Sequence, residues 1–185
     1  WGAPQYNPAS RFLDEIPEEL VEKFEPTFAQ PSWGGRPGAG GRSGYGGYAA
    51  LMGAVKTPDL YRCAVSLGGV TDLSQVVSDS RWYLNQKPMA EMRVGSWWTD
   101  RERLRDTSPV FHAKEIRTPL LLMHGAMDRA VPVSHGRDMA EALKAANVTT
   151  YRYVELPFAD QTLSREQDRL QVFTELEQFL KSHLE

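Results

Sequence analysis

The chain carries a single cysteine, Cys63, in 185 residues, which excludes an intrachain disulfide and a cysteine-built zinc site and makes a reducing compartment the default. A lone free cysteine is most often a small buried hydrophobe, and Cys63 is read that way. Excess positive charge is lacking too. Lys+Arg at 21 against Asp+Glu at 24 leaves a net charge of −3, so no overall basic field draws the chain to nucleic acid or to an anionic membrane. No apolar run reaches the ~18 residues of a membrane span, and Trp1-Gly2-Ala3-Pro4 is not the basic-then-apolar start of a secretory leader. The expectation is a cytoplasmic protein with no cofactor. The absence of an initiator Met suggests a fragment or a processed chain.

What is present divides unevenly. The length suits one domain, or one domain with a tail. Residues 1–30 are acidic and hold one helical signal, with Phe12, Ile16, Leu20 and Phe24 every four residues and Pro17, Glu18 and Glu19 suited to a first turn. Between Pro31 and Gly47, ten of seventeen residues are Gly or Pro, which is linker chemistry and cannot form a central strand. From Tyr45 the texture changes. Residues 48–55 read as a buried helix, 61–67 as a strand and 119–124 as a strand of unbroken apolar character. Ser134–Ala146 reads as a helix, Tyr151–Leu156 as a strand, and Arg165–Leu184 as a helix with a stripe of Leu170, Phe173, Leu176, Phe179 and Leu180. The stretch 74–105 is polar, Trp-rich and helical or irregular. Alternating strands and helices predict a short parallel sheet, in chain order, flanked by helices on both faces.

Two runs belong together: Gly-Tyr-Gly-Gly-Tyr-Ala-Ala-Leu at 44–51, opening a helix, and His-Gly-Ala-Met-Asp-Arg-Ala-Val-Pro at 124–132, closing a strand. With Ser108-Pro109 and Leu-Pro-Phe-Ala-Asp at 156–160, residues 45–185 resemble the C-terminal half of an α/β-hydrolase of the prolyl oligopeptidase family, which includes the acylaminoacyl and dipeptidyl peptidases. The resemblance implies a partial α/β-hydrolase fold and a serine peptidase acting on peptides or esters. It also implies a nucleophile on a strained turn, an oxyanion donor at the next backbone N–H, an acid and a histidine. Carried over, the oxyanion donor is the N–H of Tyr45, the turn glycines are Gly46 and Gly47, and the acid is Asp128. The nucleophile position is Gly44, and the histidine position is Gln161. Neither can do the chemistry, since glycine has no nucleophile and glutamine no ionisable nitrogen. Ser43 is one residue early and completes G-x-S-x-G in neither register. Asp128 is either the relict acid or a residue that caps its loop.

No other histidine is an evident replacement. His124 resembles a structural strand-end residue, His112 follows Ser108-Pro109, His135 starts a surface helix, and His183 is solvated near the terminus. Of Trp97 and Trp98, one is expected in the core. Residues 1–44 form a mostly irregular arm whose Ser10-Arg11-Phe12 and Glu15-Ile16-Pro17 are similar to the segment closing the motor core of bacterial superfamily-one DNA repair helicases. No nucleotide-binding motif accompanies them. The chain is expected to be a chimera joined near residue 44. Three functions compete: an inactive α/β-hydrolase remnant serving as a binding module, an active hydrolase using Ser43, and a helicase-type interaction tail with a passive C-terminal domain. An exposed strand edge would pair two copies of the chain.

Overall fold

In the computed structural model, residues 44–79, 94–96 and 98–184 are described. The central element is β2 (Leu120–Gly125), whose six residues are all buried. Its side chains alternate between two cores. Leu120 and Leu122 meet Leu51, Ala54, Val55, Met139 and Leu143 on one face; Leu121 and Met123 meet Leu156, Val172 and Phe179 on the other. An apolar run without polar alternation belongs to a parallel strand covered on both sides, and here it is one. β1 (Ala64–Leu67) pairs with it in parallel from Ala64↔Leu120 to Leu67↔Met123, and β3 (Tyr151–Leu156) from Leu120↔Tyr151 to Gly125↔Leu156. The order is β1-β2-β3, as the sequence predicts.

The helices cover the two faces. α1 (Tyr45–Lys56) buries Gly47, Leu51, Ala54 and Val55 and stops before Thr57-Pro58, because proline disfavours helical geometry at the residue ahead of it. α2 (Leu73–Asp79) and α3 (Arg101–Asp106) are short. Pro109–Glu115 is a 3₁₀ segment anchored by Ser108, whose hydroxyl donates to Leu104 O at 2.6 Å and accepts from Leu73 N at 2.8 Å. α4 (Ser134–Ala145) buries His135, Gly136, Met139 and Leu143, and α5 (Glu166–Leu184) buries Asp168, Val172 and Phe179.

Four expectations need correction. The first strand begins at Ala64, since Tyr61 and Arg62 are exposed and Pro58–Leu60 is a 3₁₀ turn. In α5, Phe179 is buried and Leu176 and Leu180 are half-buried as expected, but Leu170 and Phe173 are 67% and 64% exposed and Val172 faces the sheet in the first half of the helix. His135 is not on the surface but 1% exposed, because Gly136 lets the start of α4 approach β2; a Cβ there would lie 2.9 Å from His124 Cβ. Cys63 is half-buried rather than sequestered. Trp98 is 83% exposed. Trp97, Ser43 and the helix expected within residues 12–24 lie outside the described residues.

Candidate active site

The loops leaving the carboxyl ends of parallel strands are where such sheets assemble sites. Gly68 follows β1, Asp128 follows β2, Gln161 follows β3, and Gly44 opens α1 beside them. Gly44 is buried and left-handed, with φ +91° and ψ −16°. A Cβ at this position would stand 2.7 Å from Val131 Cγ2, 3.0 Å from Gly68 O and 3.2 Å from Val70 Cγ2. Both the backbone and the space therefore require glycine. Its carbonyl accepts from Tyr48 N at 3.0 Å, starting the helix, and from Val70 N at 3.3 Å, fastening the loop after β1. Tyr45 is the first residue of α1, with its side chain 70% exposed. Its N–H is among those that a helix start leaves without an intrahelical acceptor.

The turn is pinned from below by small residues. A Cβ on Gly47 would come 2.6 Å from Gly69 Cα and 2.7 Å from Ser66 Oγ, so α1 meets the end of β1 backbone to backbone. Gly46 faces open space. The two glycines thus have different roles, which their adjacency conceals.

Asp128 and Gln161 are brought together. Asp128 is 8% exposed, and its Oδ1 accepts from Ala130 N at 2.8 Å and Val131 N at 2.9 Å, which closes the loop after β2. With the Gln161 amide oriented so that its nitrogen faces the carboxylate, Nε2 donates to Asp128 Oδ1 at 2.9 Å and also to Oδ2. A Cβ on Gly68 would sit 3.4 Å from Asp128 Oδ2 and 3.5 Å from the Gln161 amide, so the pair lies against that glycine. Gln161 itself is held by its neighbour. Asp160 accepts from Thr162 N, Thr162 Oγ1, Ser164 N and Ser164 Oγ, and these bonds hold its carboxyl down at about 2.

The four histidines are each engaged elsewhere in the described structure. His124 Nε2 donates to Val131 O at 2.9 Å and lies 3.8 Å from Asp128 Oδ2. His112 contacts Glu115 and the Asp106 carbonyl, while His183 is half-buried with its ring 4.4 Å from that of Phe179. His135 accepts backbone N–H bonds and is held down to about 4 by burial, by His124 next, with Asp72 opposing. Among the described residues, no three His, Cys, Asp or Glu side chains gather where a metal could sit, and no helix is long and apolar enough to cross a membrane.

The carboxylate is held by two N–H groups and faces an amide, which has no ionisable nitrogen. Gly68, Val70 and Val131 complete the surroundings and are missed in the sequence. Gly68-Gly69 after an apolar strand was the available signal for the first; nothing local marks the two valines.

A parallel sheet with helices on both faces, an elbow glycine at a helix start, and an acid and its partner after two successive strands define an α/β-hydrolase fold in part. Residues 34–185 match the Prolyl oligopeptidase family, and the chain belongs to that family as a serine peptidase-like domain. It is 32% identical to dipeptidyl aminopeptidase BIII of Pseudoxanthomonas mexicana over 114 residues, covering 60% of this chain and 16% of that protein. Against the acylamino-acid-releasing enzyme of Rattus norvegicus the identity is 35% over 83 residues, 45% of this chain and 11% of that one. The chain thus spans well under a fifth of either relative. Among solved structures, puromycin hydrolase superposes with a TM-score of 0.64 at 25% identity, over 74% of this chain and 20% of its own. Acylaminoacyl peptidase of Pyrococcus horikoshii gives 0.64 at 21%, over 75% and 22%, a likeness of fold.

Proposed function

We propose that this domain is a catalytically silent member of its family, the C-terminal part of a hydrolase retained as a binding or interaction module. One observation carries the reading: the Gln161 amide occupies the Asp128 carboxylate beside a turn where Gly44 leaves no room for a side chain. In the triad logic the acid orients an imidazole that takes the nucleophile's proton. Gln161 accepts the same orientation from the acid and offers no basic nitrogen. Gly44 keeps the positive φ of a strained elbow without a hydroxyl. Residues 1–44, with the Ser10-Arg11-Phe12 run, are read as an arm of separate ancestry, of which the family match covers residues 34–44; an interaction tail with a passive C-terminal domain is the alternative for this part. The whole acts in the cytoplasm on this reading.

An active hydrolase using Ser43 is the competing reading, favoured by the buried, ordered Asp128. The test is turnover of an activated ester and an aminoacyl anilide by the full chain and by Ser43→Ala. Equal rates for both, matching a non-enzymatic protein control, are expected. Ser43-dependent turnover would overturn the proposal.

A further inference from the structure

His135 follows the candidate acid Asp128 by a short stretch of chain and binds a loop, at Thr71, that lies sixty-four residues earlier. Its imidazole is 1% exposed, at the start of α4. Nδ1 faces Thr71 N at 3.2 Å and Asp72 N at 3.4 Å, so the neutral ring accepts there and carries its proton on Nε2. Thr71 Oγ1 donates to His135 O at 2.8 Å and stands 3.3 Å from Nδ1. Thr71 and Asp72 end the loop that begins at Gly68. The same loop is fastened at its middle by Val70 N on Gly44 O, and Gly68 packs on the Asp128–Gln161 pair. The imidazole is therefore the acceptor for two backbone N–H groups at the far end of the loop that frames the candidate site, an end also tied by Thr71 Oγ1 to His135 O and by Val110 N, which donates to Thr71 O at 3.1 Å.

We propose that His135 is an acid-operated latch on the 68–72 loop: a proton on Nδ1 places a donor against the Thr71 and Asp72 donors, breaking those two backbone bonds and loosening the loop that packs Gly68 on the Asp128–Gln161 pair. The step adds one proton from solvent to Nδ1 and breaks no covalent bond. Two titratable groups face the ring. His124 of β2 opposes the extra charge, and Asp72, ahead of α2, favours it. Asp72 is already engaged, since its Oδ1 accepts from Ser74 N at 2.7 Å and Gln75 N at 3.3 Å. The Thr71 hydroxyl, already 3.3 Å away, can accept from the protonated nitrogen, which leaves the Thr71 and Asp72 N–H groups without their acceptor. Burial sets the direction. A histidine held down to about 4 contributes stability above its unfolded value near 6.5, and that contribution is lost as the pH falls toward 4. The latch is closed at neutral pH and opens in acid. The inference stands independently of whether the domain is catalytic.

The experiment is amide hydrogen exchange and ring titration by NMR on the full chain and on His135→Gln, whose side-chain oxygen can accept the same N–H groups without titrating. In the wild type, exchange at Thr71 and Asp72, corrected for intrinsic rate, should rise about ten-fold relative to the amides of β2 between pH 7 and pH 4. The midpoint should coincide with the titration of the His135 ring. In His135→Gln the ratio should stay flat. The same rise in His135→Gln would overturn the latch, as would a His135 ring that titrates while Thr71 and Asp72 do not respond. Should the variant fail to fold, the wild-type comparison of the two midpoints decides alone, and midpoints a full pH unit apart would overturn it.

Discussion

Replacing Gly44 by serine places a hydroxyl at the turn that the proposed reading takes as the former nucleophile position, and the geometry says what it costs. The φ of +91° lies in the left-handed region, where a residue with a Cβ loses about 1–2 kcal/mol. The new Cβ would sit 2.7 Å from Val131 Cγ2 and 3.0 Å from Gly68 O, closer than packed atoms come, and overpacking of this kind costs about 1–3 kcal/mol. The two together give a loss of about 2–5 kcal/mol, or a urea midpoint lower by about 1–3 M for a domain of this size. Equilibrium urea unfolding followed by tryptophan fluorescence measures it. Gly44→Ala should lose nearly as much, because the Cβ causes the conflict. Gly46→Ala is the internal control, since its Cβ meets nothing within 4 Å and alanine suits a helix better than glycine by about 1 kcal/mol. It should be neutral or mildly stabilising. A Gly44→Ser variant as stable as the parent, or Gly46→Ala as the more damaging change, would refute the reasoning.

Three further outcomes are expected. Leu121→Ala, fully buried between β2 and α5, should cost about 2–5 kcal/mol, whereas Leu170→Ala on the outer side of α5 should stay within about 0.5 kcal/mol; equal losses in thermal unfolding would contradict the facing assigned to that helix. Asp128→Ala removes the acceptor of the Ala130 and Val131 N–H groups and should destabilise by about 2–4 kcal/mol, so an unchanged denaturation midpoint would mean that the carboxylate does not hold its loop. Among the described residues β1 pairs on one side alone, with Cys63, Val65 and Leu67 half-buried, and light scattering should show a dimer or larger species; a stable monomer at high concentration would remove that expectation.

The parallel sheet is legible because its signal is local. Leu120 to Met123 reads as doubly covered without knowledge of what covers it, and β3 keeps the limits that the run from Tyr151 to Leu156 suggests. α5 shows the limit of periodicity. Leu170 and Phe173 continue the stripe of Leu176, Phe179 and Leu180 on paper, and it is Val172 that packs with Leu121 and Leu156 instead. The site divides similarly. Asp128 and Gln161 are found by resemblance at the loop positions where the chain folds them together, yet the amide on the carboxylate is visible in three dimensions alone. His135 misleads because a histidine beginning a helix gives no local sign of burial. Gly136, which permits the close approach to His124, and Thr71, sixty-four residues earlier, decide its environment.

The most direct test of catalytic silence is covalent. Incubating the full chain with a fluorophosphonate probe, which phosphonylates an activated serine, and mapping the adduct by peptide mass spectrometry asks whether any serine here is a nucleophile. The account predicts no adduct above that of the heat-unfolded chain, with Ser43 unmodified, because the Asp128 carboxylate is engaged by the Gln161 amide, which has no basic nitrogen. Stoichiometric labelling of Ser43 that is lost in Asp128→Asn would contradict it and identify a working serine hydrolase.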